Sequence, residues 1–201
     1  MTHYSNACCE GGHYICDTCH GQAGFLTITE YVTNTISANP VNIAMEMMKD
    51  SNINMHGPEH HYLVAAALLA AYKNAGGQVD FTKTLQIIAQ RAKNVPGGIC
   101  GLWGSCGAAI SSGIFISAIT GATPLSVEEW ALANKITSCA LAVISENGGP
   151  RCCKRNSFLA IYQAAEFVKK NFGHNLELPN RVECEFSRRN EQCRGNKCLF
   201  F

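Results

Sequence analysis

Twelve cysteines in 201 residues are the side chains here best able to do chemistry, and they fall into groups. The first group is Cys8-Cys9 followed by Cys16-Asp17-Thr18-Cys19-His20. A C-x-x-C step puts two thiolates on one tight turn, where both reach a single tetrahedral ion. Cys16 and Cys19 are therefore expected metal ligands, and Cys9 or Cys8, with His13 or His20, can complete the set. A structural zinc knuckle fits this pattern, and so does a cluster or a redox dithiol.

The second group is Cys184, Cys193 and Cys198, set among Arg and Asn residues with little to pack against. Core burial is a poor explanation for them. Three ligands do not close a tetrahedral site, so the tail is expected to fold back on the N-terminal knuckle and share a metal, or to take an outside ligand.

The third group carries the strongest expectation. Gly97-Gly98-Ile99-Cys100-Gly101-Leu102-Trp103-Gly104-Ser105-Cys106-Gly107 and Gly148-Gly149-Pro150-Arg151-Cys152-Cys153-Lys154-Arg155 each bring a glycine-rich turn up to a cysteine at a helix start. Free N–H groups and the positive dipole end of a helix stabilise thiolates, sulfide and anionic clusters. Convergence of the two starts would offer Cys100, Cys106 and Cys152 or Cys153 to one cofactor, with Arg151 adding positive charge. The competing reading is that Cys106 packs as a small apolar side chain. The Gly-x4-Gly-Lys-Ser/Thr pattern of a phosphate loop is missing.

A fourth group is His56-Gly57-Pro58-Glu59-His60-His61. His56-x-x-Glu59-His60 spells H-x-x-E-H, a zinc-protease pattern that needs both histidines on one helix face. Gly57-Pro58 is expected to start the helix, which leaves His56 outside it. His60, Glu59 and His56 then read as metal ligands or proton shuttles beside the cysteine site. The alternative is that Glu59 only caps a helix whose histidines are hydrogen-bonded. Cys106, His60 and Glu59 are the candidate catalytic residues.

These side chains need a scaffold. Apolar residues make up 47% and charged residues 15%, with a net charge of +1 and no basic stripe, so nucleic acid is not an expected partner. Met1 to Glu10 has neither a basic nor an apolar leader region, and the run Ala65 to Ala71 is too short to span a bilayer. A cytoplasmic, membrane-free protein is expected, where clustered cysteines bind metal or do redox chemistry rather than form disulfides. The low charge also makes a homo-oligomer an expectation.

Helix signals dominate. Asn39-Pro40 is a cap with proline in the first turn, and Pro58 to Asn74 is rich in Ala and Leu before Gly76-Gly77. Asp80 caps a helix with the stripe Phe81, Leu85, Ile88 and Ala92. Further helices are expected from Ser105 or Cys106 to Thr120, from the capping box at Ser126-Val127-Glu128-Glu129 to Asn147, and from Cys152 to Asn171. Phe25 to Val32 could hold one short strand. The expected fold is all-α: a bundle of about six helices with short Cys-rich, metal-binding N- and C-terminal segments. Its divisions are a Cys/His-rich knuckle at 1–24, a helical core at 25–174, and a tail at 175–201 packing back on the knuckle.

The blocks at 55–61, 95–98, 100–109 and 149–155 resemble the signature blocks of a cysteine-rich family of anaerobic bacteria and archaea, catalogued as domain of unknown function 5714. The resemblance covers nearly the whole chain. Members are sometimes fused to radical-SAM or methyltransferase domains, which implies a redox, radical-SAM or methyltransferase partner. A weaker similarity is to the redox-active protein family with a C…GCAxxG…C…C pattern, from which Cys106-Gly107-Ala108-Ala109 departs. The expected function is an iron–sulfur protein, with a [4Fe–4S] cluster, of anaerobic redox or sulfur-transfer metabolism, and with Zn2+ at the terminal cysteines. The rivals are a zinc-stabilised module presenting a substrate or partner, and a thiol redox enzyme without a cluster.

Overall fold

A computed structural model describes the backbone of residues 17–201 and the side chains from Gln22 onward. Eight helices follow one another among these residues: α1 (Asp17–Asn34), α2 (Pro40–Lys49), α3 (Glu59–Asn74), α4 (Phe81–Lys93), α5 (Ile99–Leu102), α6 (Gly107–Thr120), α7 (Glu128–Asn147) and α8 (Cys153–Phe172). Two short 3-10 turns, Ser187–Arg189 and Gly195–Lys197, punctuate the tail.

The bundle is organised around α3. Every residue from Glu59 to Tyr72 is buried, the mark of a helix with neighbours on all sides. Those neighbours are α1, α2, α4, α6 and α8. The small residues of α6 let it lie between α3 and α7. At Gly113 an added Cβ would run into Thr137 of α7. Ser111 goes further: its hydroxyl donates to the His61 carbonyl and accepts from the Ala65 N–H at 3.0 Å. It thus sits between the two partners of one helical turn of α3.

Several caps form as the sequence indicates. Asn39 Oδ1 accepts from the N–H groups of Val41 (3.1 Å) and Asn42 (3.0 Å), and Asp80 accepts from Lys83 N–H at 3.1 Å. Others do not. Phe25 to Val32 is helical, not a strand. Its β-branched Ile28 and Val32 are one turn apart and both buried, while Thr29 and Thr33 bond back to carbonyls four residues earlier. That spacing outweighs β propensity. The capping box at Ser126 also fails. Ser126 Oγ accepts from Thr123 N–H instead, and α7 starts after Val127 with no side-chain cap. The two helices beyond the expected six are α1 and the single turn α5.

The tail runs over the starts of α2 and α8. Glu177 N–H donates to Ala38 O at 3.0 Å, and Phe200 packs edge-on against Phe158 with ring centroids 5.4 Å apart. The expected contact between tail and knuckle falls on residues outside those described.

Candidate functional site

The two glycine-rich turns do converge. The starts of α3, α5, α6 and α8 surround a cavity of about 240 Å3, whose walls include His56, His61, Cys100, Cys106, Arg151 and Cys153. Cys106 is the N-cap of α6 and Cys152 the N-cap of α8, so both cysteines stand where helix N–H groups are free. Cys100, Cys106, Arg151 and Asn156 also line a broader groove of about 980 Å3 along α7, which gives the cavity a route to solvent.

Adjacent cysteines at the start of α8 part company. Cys153 faces the cavity. Cys152 lines a separate recess with Cys184, Cys193 and Cys198 of the tail. The expected choice between Cys152 and Cys153 thus resolves into one for each side. All eight cysteines with described side chains carry free thiols. Among the described residues, no three His, Cys, Asp or Glu side chains converge closely enough to hold one metal ion as they stand.

Polar groups orient the cavity thiols. Arg155 Nε donates to Asn156 Oδ1 at 3.1 Å, which fixes the amide so that Asn156 Nδ2 donates to Cys106 Sγ at 3.4 Å. The same guanidinium holds the preceding loop through Gly148 O (2.8 Å) and Pro150 O (3.0 Å). Burial pushes the Cys153 thiol up to about 11, and the Gly57 N–H and the Arg151 charge pull it back only in part.

The three histidines differ in what they have free. His60 Nδ1 faces Gly57 O at 3.1 Å, so it carries the proton. His60 Nε2 then accepts from Lys154 Nζ at 3.1 Å. Burial, reinforced by the Lys154 charge, holds this imidazole well below its ordinary value. Both nitrogens are occupied.

His61 Nδ1 donates to Val95 O at 3.0 Å, which leaves the lone pair on Nε2. That edge lies against the first turn of α6, where a Cβ on Gly107 would overlap the ring. His56 presents Nε2 to Asn190 Oδ1 (3.2 Å) and Gln192 Oε1 (3.0 Å). Two carbonyl acceptors put the proton on Nε2 and the lone pair on Nδ1, which is buried without a partner. Burial lowers the His56 pKa, so the neutral form is favoured. A histidine whose second nitrogen is anchored this way is prepared for metal ligation.

Glu59 is fully buried. Its Oε1 accepts from Asn54 N–H at 2.8 Å, and it is not part of the cavity wall. Burial raises its pKa and lowers that of its buried neighbour Lys154 to about 8. Lys154 Nζ also donates to Asn54 O at 2.8 Å. Glu59, His60 and Lys154 together tie the loop before α3 to the start of α8.

With this geometry in place, the chain can be compared with others. A family model described as "Family of unknown function (DUF5714)" matches residues 28–201. The chain belongs to DUF5714. The weaker likeness to the C…GCAxxG…C…C proteins finds no support in that match. No curated protein and no solved structure matches the chain.

Within this DUF5714 chain, the cavity gathers Cys100, Cys106, Cys153, His56, His60 and Arg151 of the sequence-derived set, while Cys184, Cys193 and Cys198 gather apart with Cys152. His56 lies before α3, as the Gly57-Pro58 break indicates, so the H-x-x-E-H protease geometry is not formed. Cys9 and Cys16 lie outside the described residues, and so does the Cys19 side chain. Two cavity residues have no role in the sequence reading, which names His61 only as part of the fourth group and does not name Asn156. No helical period could have shown them, because α3 and the first turn of α8 are buried almost throughout. No helix among the described residues is long and apolar enough to cross a membrane.

Proposed function

We propose that the cavity binds an iron–sulfur cluster through Cys100, Cys106 and Cys153, and that the protein serves redox or sulfur-transfer chemistry. The observation that carries this reading is the buried, unpartnered Nδ1 of His56 in the wall of a cavity with three cysteines. The residues fit the group in three further ways. A volume of about 240 Å3 accommodates more than a single ion. The Asn156 amide donates to a ligand sulfur, a contact that tunes cluster potential. Arg151 supplies positive charge against an anionic thiolate assembly.

Such a cluster would supply electron transfer when fully ligated by the protein, or an open iron for substrate or sulfide when held by three cysteines. The chain's own part is to hold thiolates with N–H groups, to offer the His56 or His61 nitrogen as a fourth donor, and to admit small molecules through the groove along α7.

A second reading is a zinc-stabilised module that presents a substrate or partner to a radical-SAM or methyltransferase enzyme. It is favoured by Leu102 and Trp103, both largely exposed, with Leu102 in the wall of the groove. One experiment separates the readings: iron, zinc and acid-labile sulfide content, with an absorption spectrum, on protein purified without oxygen. Iron and sulfide lost on Cys100→Ser, Cys106→Ser or Cys153→Ser are the expected result. Zinc alone after attempted cluster reconstitution sinks the cluster and selects the module. No metal of any kind selects a thiol enzyme built on Cys106.

A further inference from the structure

We infer that the tail closes a second metal centre: one tetrahedral ion of the zinc class, held by Cys152, Cys184, Cys193 and Cys198. This goes beyond the cavity reading and does not depend on it. The four cysteines line one recess, and four thiolates are a complete ligand set for a structural zinc site. The fourth ligand missing from the tail sequence is therefore on the first cap of α8, and the N-terminal knuckle is not needed to complete the set.

Size decides the kind of occupant. The recess encloses about 20 Å3. Roughly 10–15 Å3 suffices for one water molecule, so the space suits a single ion and not a four-iron cube. The cavity on the other side of Cys153 is about 240 Å3, and the two centres are built for different guests.

The backbone around the recess is arranged for sulfur. Gly195 N–H donates to Cys193 Sγ at 3.4 Å, and Gly195 has φ +54°, a left-handed conformation that glycine adopts without strain. This turn directs an N–H back at the sulfur two residues earlier. Arg155 N–H and Asn190 Nδ2 lie 3.5 and 3.6 Å from Cys152 Sγ. Donors of this kind stabilise thiolate ligands. Cys184 N–H is bonded to Phe200 O at 2.6 Å and Cys198 N–H to Gly195 O at 2.8 Å, which holds the two tail segments side by side. Arg155 and Arg194 in the recess wall offset the negative charge that four thiolates leave on a divalent ion. The four thiols do not converge on one point as they stand, and each can turn about its single side-chain torsion.

The test uses the full chain carrying Cys16→Ser and Cys19→Ser, so that the knuckle cannot contribute. Zinc is counted after Zn2+ loading, and Co2+ replaces it for a thiolate charge-transfer spectrum. The expected result is one zinc per chain and a tetrathiolate cobalt spectrum. Adding Cys152→Ser, Cys184→Ser, Cys193→Ser or Cys198→Ser should abolish both, and adding Cys100→Ser should abolish neither. Cys193→His keeps a ligand and should restore the zinc, which separates lost ligation from misfolding. The proposal is overturned if the knuckle variants alone lose this zinc, if Cys152→Ser retains it, or if the tail variants lose iron and sulfide instead. Iron and sulfide are assayed on the same samples, so the cavity reading can fail while the zinc count stands, and the reverse.

Discussion

Asn156 is positioned by Arg155 and in turn positions Cys106. If Cys106 is a ligand, the amide is its outer partner, and removing such partners costs about 10–100-fold in metal affinity or activity. Asn156→Leu is therefore expected to lower metal retention on the cavity side by about that factor, read as iron release to a competing chelator. The zinc of the tail should be unchanged. Equal iron retention in the two proteins would remove Asn156 from the site. The histidines show why residue-level reading stopped short. Neighbours on a helix point roughly 100° apart, so His60 and His61, which both border the cavity, meet different partners. The phase of a helix is read from its exposed face, and α3 has almost none. Sequence favoured His60, but the fold gives His60 to Lys154 and leaves the His61 nitrogen free.

Helix starts do the positioning, and they were legible to different degrees. Asn39-Pro40 and Asp80 announce α2 and α4 because a cap is a local event between residues two or three apart. The glycine-rich approaches to Cys106 and Cys152 could be read for the same reason. α1 could not, because its helicity depends on burying Ile28 and Val32 against distant residues. Nor could the insertion of Ser111 into α3, which joins residues 46 and 50 positions apart in sequence. That contact carries a prediction. Ser111→Ala leaves the His61 carbonyl and the Ala65 N–H without their shared partner in a fully buried place. An unsatisfied buried group costs about 1–3 kcal/mol. Urea unfolding should show a loss in that range. A change near zero would mean that α3 closes its own bond once the hydroxyl is gone.

At the scale of the molecule, the bundle and the tail are held by different forces. The bundle has a continuous apolar core running through α2, α3, α6 and α8. The tail contributes few buried apolar side chains, Leu176, Val182, Phe186 and Phe200 among them, and carries exposed Arg188 and Arg189 on a single 3-10 turn. If an ion holds Cys152 to the tail, its removal should loosen the tail and leave the helices intact, because local opening follows local stability. Trypsin after chelation reads this directly. A loss of about 1.4 kcal/mol of local stability corresponds to about tenfold faster cleavage when opening and closing are fast. Cleavage at Arg188 and Arg189 should rise by at least that factor, while far-UV circular dichroism stays constant. Cleavage that ignores the chelator would show a tail held by Phe200 and its neighbours alone. Helicity falling together with the tail would mean that metal stabilises the whole bundle. Asn190 makes the outcome relevant to the cavity, since it bonds both Cys152 and His56. A tail released from Cys152 also releases the group that sets the His56 proton, so the two centres would respond together to loss of one ion.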